Sequence, residues 1–125
     1  MFTTITSWDN AQKNCEAFDA GLVKINGAEE NDFVLDLSKK KTSLKKVWIG
    51  LKWYTDDDFY WYDYSAPNDY TNWAPEQPNG GANEQCGSMY TEQTRENLPL
   101  EAPGYWNDIN CDGGSGIGYV CKMLP

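Results

Sequence analysis

Four cysteines, at positions 15, 86, 111 and 121, and no histidine anywhere in 125 residues set the first limits on this chain. No two cysteines form a C-x-x-C pair, and without histidine a zinc site would need all four thiolates. Two disulfides in a secreted protein is the better reading, with three pairings open from sequence alone. The missing histidine also removes the commonest general base, while hard cations that prefer oxygen remain admissible. A formal net charge of −9 repels phosphate backbones and argues against nucleic acid as a partner. No apolar run approaches the roughly 18 residues of a membrane span. No secretory leader is visible, so Met1 is expected to mark a processed or re-engineered start.

A chain of this length can bury a real core as one domain, residues 1–125, and six tryptophans with eight tyrosines make that core aromatic. Ser7 can cap a helix running to about Ala20, in which Trp8, Ala11, Cys15 and Phe18 recur at spacings of three and four and Gly21 supplies the stop. "LVKI" (22–25) reads as a short strand. Asn26 with Glu29 reads as a capping box opening a second helix, which buries Phe33, Val34 and Leu37 and ends in lysines 39 to 41. "VWIGLKWY" (47–54) and "FYWYDY" (59–64) are strands separated by Asp56-Asp57-Asp58. "CGSMY" (86–90), "YWND" (105–108) and "GYVCKM" (118–123) complete the set. Between Ser65 and Gly104 the chain is dominated by Pro, Gly, Asn, Asp and Glu, and loop-heavy regions of this length in compact domains are usually functional.

Within that region, "WAPEQPNGGANEQCG" (73–87) collects side-chain oxygens. Amides, glycine and proline are what any solvated turn contains. Glu84 just before Cys86, and Asn107-Asp108 just before Cys111, tip the reading toward a metal. Ca²⁺ takes six to eight oxygens from carboxylates, amides and backbone. Gln77, Asn79, Glu84, Asn107 and Asp108 offer five such side chains. Open positions could take two adjacent hydroxyls of a sugar, each touching the metal while donating to a carboxylate and accepting from an amide N–H. With only Glu84 and Asp108 as formal anions, calcium is expected to bind at the weak end, about 10⁻⁴–10⁻³ M. Protons then compete early, and affinity is expected to decline below about pH 5–6 at limiting Ca²⁺. Carboxylates that ligate calcium are not free to shuttle protons, and no nucleophile–base pair is available, so an enzyme is disfavoured. The lysine run "KKKTSLKK" (39–46) reads as a solvated helix end in preference to a patch for anionic glycans.

"WIGL" (48–51), "QPN" (77–79), "NEQC" (83–86), "WND" (106–108), the closing Cys121 and the opening "SWDNAQKNCEAFDAGLVKINGAEENDFV" resemble a C-type lectin domain over nearly the whole chain. The resemblance implies an α+β fold, two helices flanking small antiparallel sheets with a long calcium- and sugar-binding loop region. It implies the short form with two bridges, Cys15 to Cys121 and Cys86 to Cys111. A homodimer, if formed, would then be non-covalent. It also implies a cis bond before Pro78, a backbone carbonyl ligand at Asp108, and calcium-dependent binding of glycans by a secreted, extracellular domain.

Family pattern further bears on the sugar. The mannose-type branch carries Glu and Asn around the proline and the galactose-type branch Gln and Asp, whereas here Gln77 stands with Asn79. Gln77 tilts the expectation toward terminal galactose or N-acetylgalactosamine over mannose-type glycans. The tryptophan that usually follows in the galactose branch is replaced by Gly80-Gly81-Ala82. The stacking aromatic is therefore sought in the insert "YTEQTRENLPLEAPGY" (90–105), at Tyr90 or Tyr105. A second calcium site is expected to be absent, because Trp53 and Gln85 stand where acids would be, and Asp56 to Asp58 read as a solvated turn. The alternative is a lectin-like domain without sugar binding, serving as a protein-, ice- or mineral-binding module.

Overall fold

Ser7 does start the first helix. In the computed structural model its hydroxyl accepts from the Asn10 amide at 3.2 Å, and α1 (Trp8–Glu16) buries Trp8, Ala11, Gln12 and Cys15. The structure describes residues 7–39, 45–54, 58–67, 70–75, 77–91, 103–113 and 117–123. α1 stops a turn earlier than its periodicity implies. Residues 17–19 turn instead, with Asp19 at φ 57°, and Phe18 is left 60% exposed. Gly21 is no helix stop: it lies within β1 (Ala20–Leu22), under the ring of Tyr62, where a Cβ would collide with that ring. The strand expected at 22–25 thus sits two residues earlier, although Val23 still donates to the Val120 carbonyl at 2.9 Å.

The second helix, α2 (Ala28–Lys39), opens with Glu30 rather than Glu29 reaching back to the Asn26 amide, at 2.9 Å. From that start, Asn31, Val34 and Ser38 fall on the inward face at spacings of three and four, and Leu37 is half-buried. Phe33 lies off that face and is 66% exposed, against expectation.

β2 (Lys46–Trp53) is the centre of the main sheet. It pairs antiparallel with β3 (Phe59–Trp61) and β4 (Cys86–Tyr90), and β4 in turn pairs with β5 (Trp106–Ile109). β6 (Ile117–Tyr119) runs parallel to β2, while β7 (Cys121–Met123) pairs antiparallel with β1. The expected closing strand is therefore broken at Val120 and serves two sheets. Alternation along β2 separates the interior in two. Val47, Ile49 and Leu51 join the cluster of Val34, Trp61, Met89 and Trp106, whereas Trp48 joins Trp8, Cys15, Cys86 and Tyr119. The disulfides are Cys15–Cys121 and Cys86–Cys111, the pairing that the resemblance implied. With two helices and sheets whose pairings are antiparallel save that of β6 with β2, the α+β expectation holds.

Candidate functional site

Trp106 anchors the site from below. It is fully buried on β5, and its indole N–H donates to Asn31 Oδ1 at 2.7 Å. The rings of Trp61, Tyr70 and Trp73 meet it edge to face at 5.7–5.9 Å. A strand pinned so firmly fixes the two residues that follow. Opposite Ser88 in register, Asn107 accepts the Ser88 hydroxyl at Oδ1, and its Nδ2 lies 3.4 Å from the Asp108 carbonyl. Asp108, 1% exposed, turns its carboxylate to the loop. It accepts from the Asn79 amide at 3.1 Å and from the Gly80 amide at 2.7 Å. Two backbone donors on one ionised carboxylate make a charge-assisted clasp.

The loop itself is shaped residue by residue. The Gln77–Pro78 peptide is cis, as the resemblance implied, and the Gln77 amide donates to the Ala74 carbonyl at 3.0 Å. A 3-10 turn follows at Gly81–Asn83, entered by Gly81 at φ 53°, a conformation that favours glycine. Gly80 has its own reason: a Cβ there would collide with the Glu84 side chain, so only glycine lets the glutamate fold back across the loop. Burial pushes the Glu84 carboxyl above its ordinary value, the negative charge of Asp108 adds to the push, and Lys46 partly offsets it. Gln77 contributes an anomaly. Its Oε1 is buried and has no hydrogen-bond partner.

The Asn79 and Gly80 backbone amides thus meet Asp108, Glu84 lies near enough to feel its charge, and Gln77 lies on the same loop. A divalent cation fits this donor set: it would satisfy the orphaned Gln77 oxygen and relieve the repulsion between two neighbouring carboxylates. Asn107 sits differently, since its side-chain oxygen is taken up by Ser88. Among the described residues no three His, Cys, Asp or Glu side chains gather as a metal site, and the oxygens here are amides plus two carboxylates.

Tyr90 and Tyr105, the expected stacking residues, lie on β4 and just before β5. Tyr90 is 6% exposed on β4, with the Lys46 ammonium 5.2 Å from its ring centre, so it offers no open face for stacking. Tyr105 is half-buried, its carbonyl accepting from the Tyr90 amide at 2.9 Å. Most of the insert between them, 92–102, lies outside the described residues, as do Asp56, Asp57 and lysines 40 and 41. Asp58 caps the Phe59 amide at 2.8 Å and Trp53 packs on the core. Sequence reasoning missed Ser88 and Asn31, the two polar groups that hold Asn107 and Trp106. Small buried polar residues inside strands and helices carry no local signal of such long-range pairing.

The family model described as "Lectin C-type domain" matches residues 4–123. A perlucin-like protein of Mytilus galloprovincialis is 33% identical over 117 residues, covering 92% of this chain and 69% of that protein. An alpha-N-acetylgalactosamine-specific lectin of Patiria pectinifera is 36% identical over 129 residues, covering 98% of this chain and 71% of that protein. The solved structure of the Ca²⁺-independent C-type lectin SPL-2 from Saxidomus purpuratus matches with a TM-score of 0.71 at 27% identity, over 89% of this chain and 75% of that one. No helix among the described residues is long and apolar enough to cross a membrane.

Proposed function

The chain belongs to the C-type lectin domain family, and on that premise we propose that it is an extracellular lectin whose sugar binding depends on Ca²⁺. One observation carries the reading. The Gln77 oxygen, buried without a partner, would be costly in a loop with no ligand to meet it, by about 1–3 kcal/mol. Gln77, Asn79, Glu84 and Asp108 would hold the ion, with Asn107 joining if its oxygen leaves Ser88. When bound, calcium would supply coordination positions for two neighbouring sugar hydroxyls. The chain's own groups do the rest. Glu84 accepts from a hydroxyl, the Gln77 and Asn79 amides donate to one, and Asp108 holds the Asn79–Gly80 backbone in place. Galactose or N-acetylgalactosamine is favoured over mannose, supported by Gln77 and by the specificity in the name of the Patiria relative.

A second reading, a lectin-like domain that works without calcium, is favoured by one geometric fact. Asp108 and Asn107 already have partners within the chain, so the loop closes by its own hydrogen bonds. The match to the Ca²⁺-independent SPL-2 keeps that reading in play. Retention on immobilised galactose and mannose, with chelator and then with restored Ca²⁺, tests the two. Loss in chelator and recovery with calcium is the expected result; undiminished retention in chelator overturns the calcium reading.

A further inference from the structure

A concave surface elsewhere on the domain shares no residue with the 77–84 loop. It is a cleft of about 370 Å³ between α1, the end of β2 and the turn after β3, lined by Trp8, Glu16, Lys52, Tyr54, Tyr62 and Tyr64. Two glycines make room for one of its rings. Tyr62 lies across Gly21 and Gly50, where a Cβ on either would crowd its ring. Its wall holds an unusual residue. Tyr64 sits at φ 69°, a left-handed conformation that bulky side chains seldom adopt, and is 73% exposed while touching Tyr54 at a ring separation of 5.4 Å. The surrounding turn is tied by its own hydrogen bonds. The Tyr64 amide donates to the Trp61 carbonyl at 2.8 Å, and the Ser65 amide to Asp63 Oδ1 at 3.0 Å. A large ring held in solvent at a position suited to glycine or asparagine points to selection for the ring itself.

Polar groups ring the same cleft. Glu16 Oε2 accepts from the Gln12 amide at 2.9 Å, and the Gln12 oxygen accepts from the Leu22 amide at 2.9 Å, so the carboxylate is fixed in direction. The Lys52 ammonium lies 3.1 Å from Asp9 and 5.2 Å above the Trp8 ring. These contacts choose the ligand class. A cation would compete with Lys52 for the Trp8 face, and an anion would meet Glu16 on a chain of net charge −9. A neutral ring with hydroxyls on its edge and an apolar face fits: aromatic rings for the face, a carboxylate and an ammonium for the hydroxyls. We propose that this cleft is a second, calcium-independent saccharide site, seating one neutral pyranose against Tyr64.

The test is an NMR titration of the ¹⁵N-labelled whole chain, in chelator, with the methyl glycosides of galactose, glucose and mannose. Shifts are expected at the Trp8 indole N–H and at the Tyr64 and Ser65 amides, with at least one of the three sugars. Tyr64→Asn suits the left-handed turn and removes the ring. It should weaken this binding about tenfold, as should Glu16→Gln, the scale of one lost directional contact. Glu84→Gln should leave it unchanged. Restoring Ca²⁺ then reads the loop separately, through residues 77–84. No shifts in the cleft, or equal affinity in Tyr64→Asn, overturns the second site whether or not the loop responds to calcium. Chelator-resistant shifts confined to the loop overturn it as well.

Discussion

The two disulfides hold unlike regions. Cys15–Cys121 closes an apolar end in which Trp8 and Trp48 pack with Tyr119 and the Trp8 indole N–H donates to the Ile49 carbonyl at 2.8 Å. Cys86–Cys111 starts from the same apolar cluster, of which Cys86 is a member, but its first cysteine follows directly on the polar loop, where Glu84 feels the charge of Asp108 and the Gln77 oxygen goes unmatched. The contrast separates a region arranged for stability from one that keeps unfavourable contacts near neutral pH, and proteins retain such contacts mainly where a ligand will use them.

Removing each bridge in turn is the strongest way to break this contrast. In the chain-entropy picture, a closed span of 106 residues is worth about 4–5 kcal/mol and one of 25 about 3–4. Denaturant unfolding of the two double-alanine variants should therefore show the larger loss for Cys15 and Cys121. The Cys86 and Cys111 variant should be the one that also weakens calcium binding. Equal calcium affinity in both variants would detach the loop from its bridge.

Next in size is Gln77→Glu. Glutamate removes the amide donor at 77 and adds a charge, leaving Asn79 to donate alone. Calcium should bind more tightly and selectivity move toward mannose, by about ten- to a hundredfold in relative affinity. Competition elution with galactose and mannose at saturating Ca²⁺ checks it, and an unchanged order of inhibitors would shift attention to 90–105. Gln77→Leu should act in the opposite sense. Deleting an unmatched buried acceptor should leave calcium-free stability equal or raise it by about 1 kcal/mol, while the rise in Tm on adding Ca²⁺ shrinks. A large loss of calcium-free stability would mean that the oxygen has a partner after all.

The smallest effect is one of pH. Glu84 has its folded value raised above the ordinary 4.5, so the calcium-free fold holds that proton more tightly than the unfolded chain. Between the two values, stability without calcium should rise as pH falls. Calcium affinity should fall over the same window, because proton and ion compete for one carboxylate. Melting curves against pH with and without Ca²⁺ should diverge in opposite directions, and Glu84→Gln should flatten both. A transition near pH 7 in a chain without histidine would implicate some other group.

How legible all this was in the sequence depended on the distance of the interaction. β4 falls on "CGSMY" as read, because alternation and flanking turns are local. "WND" falls in β5 for the same reason, whereas the cysteine pairing followed from the resemblance and not from any local pattern. Phe18 and Phe33 went astray because a helix's apolar count does not say which turn ends it or how far its inward face extends. The clasp of Asp108 by the Asn79 and Gly80 amides spans 28 to 29 residues, and the bond from Trp106 to Asn31 spans 75. Nothing in a local window encodes such pairs. The cleft was hidden for a further reason: its tyrosines read as strand and turn residues until Gly21 and Gly50 brought Tyr62 flat against them.

The pairing of β1 with β7 has a bearing on how the domain comes into being. Leu22 meets Cys121, and the central strand β2 receives β6 only at residues 117–119. A ribosome delivering residues in order can pair β2 to β5 early, but it completes neither sheet until residues 117–123 have emerged. Early helices emerge without the surfaces that would cover Trp8 and Trp48, and long-range strand pairing is slow once begun. Completion of this domain is thus tied to residues 117–123, and a nascent chain stalled before them would present its aromatic residues to chaperones rather than to a ligand.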